Sequence, residues 1–100
     1  MTLEGFQRRH LRGLAHHLTP VAQVGQGGIT PAVCNGISDA LLARELVKVR
    51  LVQFTSQRKV FAAELAEAVN AELVGLIGHV AILYRAHPEP ERRGIDLPVR

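Results

Sequence analysis

The chain has 100 residues, of which 47% are hydrophobic, so it is long enough for one compact domain and too short for two. No apolar run approaches the roughly 20 residues of a membrane-spanning helix, and no apolar segment follows the N-terminal arginines as in a secretory signal. The single cysteine, Cys34, excludes an internal disulfide and favours a reducing, cytoplasmic location.

The net charge of +3 is unevenly distributed along the chain. Residues 1–60 hold eight basic and three acidic side chains, a net +5, whereas residues 61–100 hold four basic and six acidic ones, a net −2. A lopsided field of this kind favours a polyanionic partner.

A first amphipathic helix is predicted over residues 3–17. Its apolar stripe recurs near the helical period and consists of Phe6, Leu11, Leu14 and Leu18. Arg8, Arg9 and Arg12 lie off that stripe, and Arg8 and Arg12 share one face because they are four residues apart. Contact with phosphate groups would explain this cluster of like charges, although a solvated face without a partner is an alternative.

A strand, a glycine loop and a helix start follow one another after residue 20. Residues 21–24 predict a short buried strand, and Gly25, Gln26, Gly27 and Gly28 form a tight loop. The next helix is predicted to begin at Pro31, with the Thr30 hydroxyl as its N-cap. Glycine lets a ligand approach the backbone closely, and the helix N-terminus attracts anions, so a phosphate or carboxylate is a plausible guest.

The loop fits the G-x-x-G pattern with which K-homology domains clamp an RNA backbone. It lacks the Lys-Ser/Thr pair of a mononucleotide phosphate loop and the third glycine of the dinucleotide fingerprint. On the loop alone, an ordinary strand-to-helix turn is an equally open interpretation.

Two further elements are predicted before residue 70, after a second helix over residues 31–44. Residues 45–52 alternate between apolar and other side chains, which predicts a strand that exposes Lys48 and Arg50 on one face. A third helix is predicted to be capped by Thr55 or Ser56. Its apolar stripe consists of Phe61, Leu65, Ala68 and Val69.

The end of the chain predicts a hairpin and a tail. Residues 73–77 and 80–85 flank a two-residue turn, Gly78-His79, and Gly75 predicts a bulge or a close backbone approach. We expect one domain over residues 1–86 and a charged, proline-containing tail over residues 87–100 that is extended or mobile. The element order αβαβαββ predicts an α/β sandwich with a four-stranded mixed sheet, since strand-helix-strand crossovers imply some parallel pairing.

Several ordered segments resemble the bacterial stand-alone CRM domain proteins of the YhbY group, over nearly the whole chain. They are residues 10–16 (HLRGLAH), 24–30 (VGQGGIT), 45–49 (ELVKV), 77–78 (IG) and 83–85 (LYR). The resemblance implies an RNA-binding module whose sheet is similar to that of the C-terminal domain of translation initiation factor three. It also implies association with ribosomal RNA in precursors of the large ribosomal subunit, and hence a role in ribosome assembly.

The resemblance also assigns positions. Gly25 and Gly28 match the loop glycines of the family, and Lys48 and Arg85 occupy positions that are basic in relatives. The chain departs from the family inside the loop, where relatives often carry a basic or small polar residue followed by Asn. A loop without its own cation depends more on the arginines of the first helix.

The hypothesis is a non-enzymatic RNA-binding protein that contacts the RNA backbone. The expected contacts are the N–H groups of Gly27 and Gly28, the N-terminus of the second helix and nearby cations. The predicted RNA-binding residues are Gly25, Gln26, Gly27, Gly28, Arg8, Arg9, Arg12, Lys48, Arg50 and Arg85. Because most aromatic side chains fall on core stripes, we expect recognition of backbone and shape. Tyr84 is the one aromatic that could stack on a base, and the alternative is a tyrosine half-buried in its strand.

No cofactor, metal or catalytic residue is predicted. His10, His16 and His17 lack an i, i+4 pair and a nearby cysteine, so they do not have the spacing of a metal site. The protein is expected to be a monomer with no DNA or membrane partner. Two alternatives stay open, namely an enzyme domain with a small phosphorylated ligand in the loop and a protein-interaction adaptor on the ribosome.

Overall fold

The computed structural model describes residues 3–25, 27–52 and 57–99. Its elements follow the predicted order αβαβαββ, with a short 3-10 turn near the C-terminus. They are α1 (Gly5–Ala15), β1 (Ala22–Val24), α2 (Pro31–Arg44), β2 (Leu46–Leu51), α3 (Arg58–Ala68), β3 (Glu72–Ile77), β4 (Val80–Tyr84) and the 3-10 turn (Pro90–Arg92).

The four strands form one mixed sheet in the order β1-β2-β4-β3. β1 pairs with β2 in parallel, because α2 carries the chain back across the sheet between them. β4 pairs with both β2 and β3 in antiparallel fashion. The predicted α/β fold with a four-stranded mixed sheet is confirmed.

One face of the sheet is closed by α2 and α3. Successive side chains of a strand point to opposite faces, and β2 turns its fully buried Val47, Val49 and Leu51 toward these helices. Ile37 and Leu41 of α2 complete this packing and are also fully buried. We call this side of the sheet the closed face.

The opposite face is covered in part by α1. Leu11 and Ala15 of this helix are fully buried against Leu46 and Ile82 of the sheet. The prediction that Leu14 belongs to the buried stripe is wrong, since 43% of this residue is exposed. Ala15 lies at the interface instead, because its short side chain lets the helix approach the sheet.

Several helix and turn predictions can be compared with the structure. Thr30 caps α2, and its Oγ1 accepts a hydrogen bond of 3.2 Å from the N–H of Val33, as predicted. The hairpin turn at Gly78 also agrees, with a left-handed φ of 58° that favours glycine. α3 begins after Gln57, which makes no side-chain cap, and the predicted caps at residues 55 and 56 lie outside the described residues.

The apolar side of α3 differs from the prediction at one position. Ala68, which was expected on the buried stripe, is exposed. Ala62 and Ala66 are buried in its place, together with the predicted Leu65 and Val69. The buried side of α3 is therefore rotated from the predicted stripe and rich in alanine.

Gly75 produces both features that a glycine inside a strand predicts. The register of β3 against β4 shifts between Leu73 and Gly75, which is a β-bulge. A Cβ on Gly75 would lie 2.9 Å from the Cδ of Arg12, so the arginine side chain crosses the strand where no side chain obstructs it.

The segment after β4 packs back on the domain. Glu45, buried and with a left-handed φ of 66°, ends α2 and holds this segment through its carboxylate. Its Oε2 accepts a hydrogen bond from the N–H of His87 (2.9 Å), and its Oε1 accepts from Gly94 (2.7 Å) and Ile95 (3.2 Å). Ile95 and Leu97 pack against the cluster beneath α1. The tail is thus irregular but docked, and the domain boundary at residue 86 stays a prediction.

Candidate nucleic-acid interface

The glycine loop has room for a side chain at each of its described positions, and Gly27 is exposed to solvent. A Cβ placed on Gly25, Gly27 or Gly28 would meet no other heavy atom within 4 Å. Gly28 has a left-handed φ of 68°, and its N–H donates to the carbonyl oxygen of Gly25 at a distance of 3.0 Å. The hydrogen bond between Gly28 and Gly25 closes the turn, and the three glycines leave space beside their Cα atoms for a ligand. Gln26 lies outside the described residues.

Fewer backbone donors face this surface than the sequence suggested. The N–H of Gly28 closes the turn, so the expected phosphate contact through this group is not available without breaking that bond. In the first turn of α2, Thr30 accepts hydrogen bonds from the N–H groups of both Val33 and Cys34, and Pro31 has no N–H. The exposed Gly27 and the helix dipole remain as the attractive features of the loop.

A basic groove lies on the sheet face that α1 leaves uncovered. It has a volume of about 340 Å³ and is formed by the end of α1, β2 and the β3-β4 hairpin. The lining consists of Arg12, His16, Pro20, Lys48, Arg50, Ile77, Val80 and Ile82. We call this feature the basic groove.

Backbone hydrogen bonds hold two of the cations at the groove. Arg12 Nη1 donates to the carbonyl oxygen of Val74 at 3.3 Å, where the bulge at Gly75 makes room for its side chain. Lys48 Nζ donates to the carbonyl oxygen of His16 at 3.4 Å. Within residues 3–25, 27–52 and 57–99, the one ion pair joins Arg92 to Glu89 in the tail. The charges of the groove are therefore not neutralised by carboxylates of these residues.

Arg50 connects the groove to the glycine loop. In the parallel pairing of β1 with β2, Arg50 lies opposite Gln23, two residues before Gly25. A second shallow depression runs along residues 19–23 at the edge of the sheet and shares Arg50 with the basic groove. The glycine loop, the depression and the groove thus follow one another across the molecule.

Three of the predicted RNA-binding arginines are not brought into the groove. Arg8 Nη1 donates to the carbonyl oxygen of Leu3 at 2.7 Å, near the start of α1. Arg9 is exposed on the same helix. Arg85 lies on the closed face, where its guanidinium donates to the carbonyl oxygens of Val69 (2.8 Å) and Ser38 (2.9 Å). Arg85 thereby joins the end of α3 to α2.

Tyr84 is not exposed for stacking. Its exposed fraction is 2%, and it packs in the cluster beneath α1. Burial raises the pKa of its hydroxyl above the ordinary value, the Glu45 carboxylate raises this pKa further, and Arg93 lowers it. Of the two states considered for Tyr84, a stacking platform or a strand residue in the core, the structure has the second.

Sequence reasoning missed the apolar floor of the groove and the carboxylate that holds the tail. Ile77 and Val80 looked like ordinary strand residues, and only the pairing of β3 with β4 shows that they flank the cations. Glu45 looked like one of many surface acids, and nothing in the sequence signals its burial.

Two searches of the described residues concern other classes of protein. None of their helices has the length and apolar character that crossing a lipid bilayer requires. None of their His, Cys, Asp and Glu side chains form a group of three or more that could hold a metal ion.

The domain combines a glycine loop with a basic groove, and this arrangement suits an extended polyanion. The amino-acid sequence identifies the protein family. The family model of the CRS1/YhbY (CRM) domain matches residues 3–85, so the chain belongs to this family. The resemblance seen in the sequence is confirmed.

Individual relatives match this chain over nearly their full length. The chain is 42% identical over 97 residues to "Probable RNA-binding protein YqeI" of Bacillus subtilis, covering 96% of this chain and 99% of the relative. It is 37% identical over 98 residues to an "RNA-binding protein" of Haemophilus influenzae, covering 97% and 96%. The solution structure of SAV1595 from Staphylococcus aureus superimposes with a TM-score of 0.83 at 41% identity, over 97% of this chain and all of that one.

Proposed function

We propose that this protein is a non-enzymatic RNA-binding protein that holds the RNA backbone along the glycine loop and the basic groove. The observation that carries the proposal is the position of Arg50. This residue pairs with Gln23 of β1, two residues before the glycine loop, and lines the basic groove together with Lys48 and Arg12. The names of the curated relatives, which describe RNA-binding proteins, support the same partner.

The proposed path of the RNA follows the order of these features. One phosphate lies at Gly27, where the backbone is exposed and the N-terminus of α2 supplies a positive potential. The next phosphates meet Arg50 and then Lys48 and Arg12, whose charges are not neutralised by acids of the described residues. Arg9 remains a candidate for an outer contact because it is exposed on α1.

We further propose that the bound RNA is ribosomal and that the protein acts in the cytoplasm, in assembly of the large ribosomal subunit. This part rests on the family resemblance and not on the groove. A surface that contacts only the sugar-phosphate backbone does not distinguish one RNA sequence from another. It is tested by sedimenting a cell extract, in which the protein should migrate with large-subunit precursor particles. Treatment with ribonuclease should release it, whereas a protein-interaction adaptor would stay bound.

Salt dependence tests the electrostatic part of the proposal. On single strands the logarithm of the affinity falls with the logarithm of salt concentration by about 0.7 per neutralised phosphate, so three cations predict a slope of about −2. Affinity should therefore fall about 20-fold between 50 and 200 mM salt. An affinity that does not change over this range would contradict the proposed contacts.

The loop is tested best at Gly27. Gly27→Asp places a carboxylate in open space at the proposed phosphate position, and the φ of Gly27 is not in the left-handed region. Binding of every RNA should weaken at least tenfold, because repulsion replaces attraction at a helix N-terminus. Gly28→Asp is less informative, since the φ of 68° at that position would strain any substituent.

Gly36→Asp is the matched control. It makes the same substitution at an exposed position of α2 where a Cβ also meets no atom within 4 Å. If the two variants are folded and bind RNA equally well, the glycine loop does not contact the RNA.

A further inference from the structure

We propose that the basic groove binds one unpaired nucleotide, with the base lying on an aliphatic floor and the flanking phosphates at Arg12, Lys48 and Arg50. This inference rests on the proposed RNA-binding function and names the form of RNA that the site takes. It adds a base-binding site to the proposed contacts with phosphate groups.

The floor of the groove is apolar and accessible. Ile77, the last residue of β3, is 63% exposed, and its neighbour across the hairpin, Val80, is partly buried. Ile82, which is 1% exposed, closes the bottom. A large exposed isoleucine on a sheet face is not stabilised by the fold, so a ligand that covers it gains the free energy of removing its surface from water.

Cations border this floor on the β2 and α1 sides. Lys48 and Arg50 project from the strand next to β4, and Arg12 reaches across β3 through the gap at Gly75. An apolar floor with positive borders complements a nucleotide, whose flat base is largely apolar on its faces and whose phosphates are anionic. The same borders disfavour an apolar peptide, which would bury three cations without an anionic partner.

The size and shape of the groove select an unpaired nucleotide. Its volume of about 340 Å³ is at the small end of the range for ligand pockets, which suits one nucleotide and not a base pair. In an RNA duplex the bases are stacked inside and the major groove is too narrow for side chains, so the base faces cannot reach a sheet. Since Tyr84 is buried, the floor beneath the base consists of aliphatic side chains, and discrimination between bases is weak.

The experiment compares three probes of equal length with the full chain at one salt concentration. They are an unstructured octanucleotide RNA, the same backbone with abasic sites, and an eight-base-pair duplex. The unstructured RNA should bind about fivefold more tightly than the abasic strand, since the exposed surface of one or two aliphatic side chains is covered. If the abasic strand binds as tightly as the unstructured RNA, or the duplex binds most tightly, the base-binding proposal is wrong.

A pair of variants places the effect in the groove. Ile77→Ala should reduce the preference for the unstructured RNA over the abasic strand to less than twofold. Leu42→Ala is the control, because Leu42 is 47% exposed on α2 away from the groove, and it should leave the preference unchanged. If the Ile77 variant keeps the full preference, the base lies elsewhere and the proposal fails.

Two other results separate this inference from the proposed function. Gly27→Asp should weaken binding of all three probes and keep the preference for bases, so it tests the function alone. If none of the probes binds in a salt-dependent manner, the proposed function itself has failed. If Ile77→Ala changes no RNA affinity but abolishes self-association in sedimentation, the groove takes a second copy of this chain instead of a nucleotide.

Discussion

The two faces of the sheet use the same strands for opposite purposes. On the closed face, Val47, Val49 and Leu51 are fully buried beneath two helices. On the opposite face, which we call the open face, α1 and the tail cover only one end, and Lys48 and Arg50 of the same strand line the basic groove. One helix covers less area than two, so a domain of this size can build its core on one side and keep a binding surface on the other.

Cations show the difference most directly. Arg85 extends to the closed face and donates to two backbone carbonyls of the helices, so its charge serves the fold. Lys48 and Arg50 are one strand away but point to the open side, where they line the groove. Basic residues close together in a sheet can therefore have unrelated roles. The role depends on the face of the sheet to which each side chain points.

The largest expected effect is on stability and belongs to the closed face. Leu41→Ala removes a fully buried side chain of α2 and should lower the free energy of unfolding by about 2–5 kcal/mol. Ile77→Ala, on the open face, should change it by less than about 0.5 kcal/mol. Urea denaturation measures both, and equal losses would mean that the open face is part of the core.

The next largest effect concerns the carboxylate that fastens the tail over the open face. The Glu45 carboxylate accepts hydrogen bonds from three N–H groups, and in Glu45→Gln the amide NH₂ would face one of these donors. The free energy of unfolding should therefore fall by about 1–3 kcal/mol. Amide hydrogen exchange at Gly94 and Ile95 should accelerate more than at Val49. Glu67→Gln, at an exposed position of α3, is the control and should have little effect.

A paired substitution separates the two roles of cations. Arg85→Met removes two charge-assisted hydrogen bonds and should destabilise the fold by about 1–3 kcal/mol while leaving RNA affinity unchanged. Lys48→Met should leave stability nearly unchanged, weaken RNA binding about threefold to fivefold at low salt, and reduce the salt slope by about 0.7. Denaturation and fluorescence anisotropy give the two readouts, and the opposite pattern would reverse the assignment of the faces.

A smaller effect is expected at the bulge. Gly75→Ala introduces a Cβ that meets the flexible Arg12 side chain at 2.9 Å, so the arginine should move away from the groove with only a modest loss of stability. RNA affinity should fall by about twofold to threefold. In an Arg12→Gln background the same substitution should have no further effect on affinity, and an additive loss would show that Gly75 acts in another way.

The smallest effect is a dependence of stability on alkaline pH. Because burial and Glu45 raise the pKa of Tyr84, the folded protein binds its phenolic proton more tightly than the unfolded chain does. The stabilisation is fully present below the unfolded pKa of about 10 and is lost as pH rises through the folded pKa. Tyr84 is the only tyrosine and the chain has no tryptophan, so ultraviolet titration follows this group alone. Glu45→Gln should lower its midpoint.

Local patterns in the sequence predicted most of the fold. The order of elements, the cap at Thr30, the turn at Gly78 and the bulge at Gly75 were all correct. Each depends on one residue type at one position, such as a hydroxyl before a proline or a glycine between two strands. Features of this kind do not require knowledge of distant residues.

The features that the sequence did not reveal depend on contacts between distant residues. The exposure of Leu14 follows from how α1 rotates on the sheet, and the orientation of Arg85 follows from which face the helices cover. The sequence predicted a set of basic residues but not the groove. Of that set, Arg12, Lys48 and Arg50 lie together in the groove. Its floor at Ile77 became visible once the strand order β1-β2-β4-β3 was known.

The fastening of the tail has a consequence for how the chain folds. The carboxylate of Glu45 lies 49 and 50 residues before Gly94 and Ile95, two of the groups that it binds. All four strands lie between Ala22 and Tyr84, so the sheet and the closed face can form before the tail docks. In such a state the carboxylate lacks these two partners, and the cluster beneath α1 lacks the cover that Ile95 and Leu97 provide.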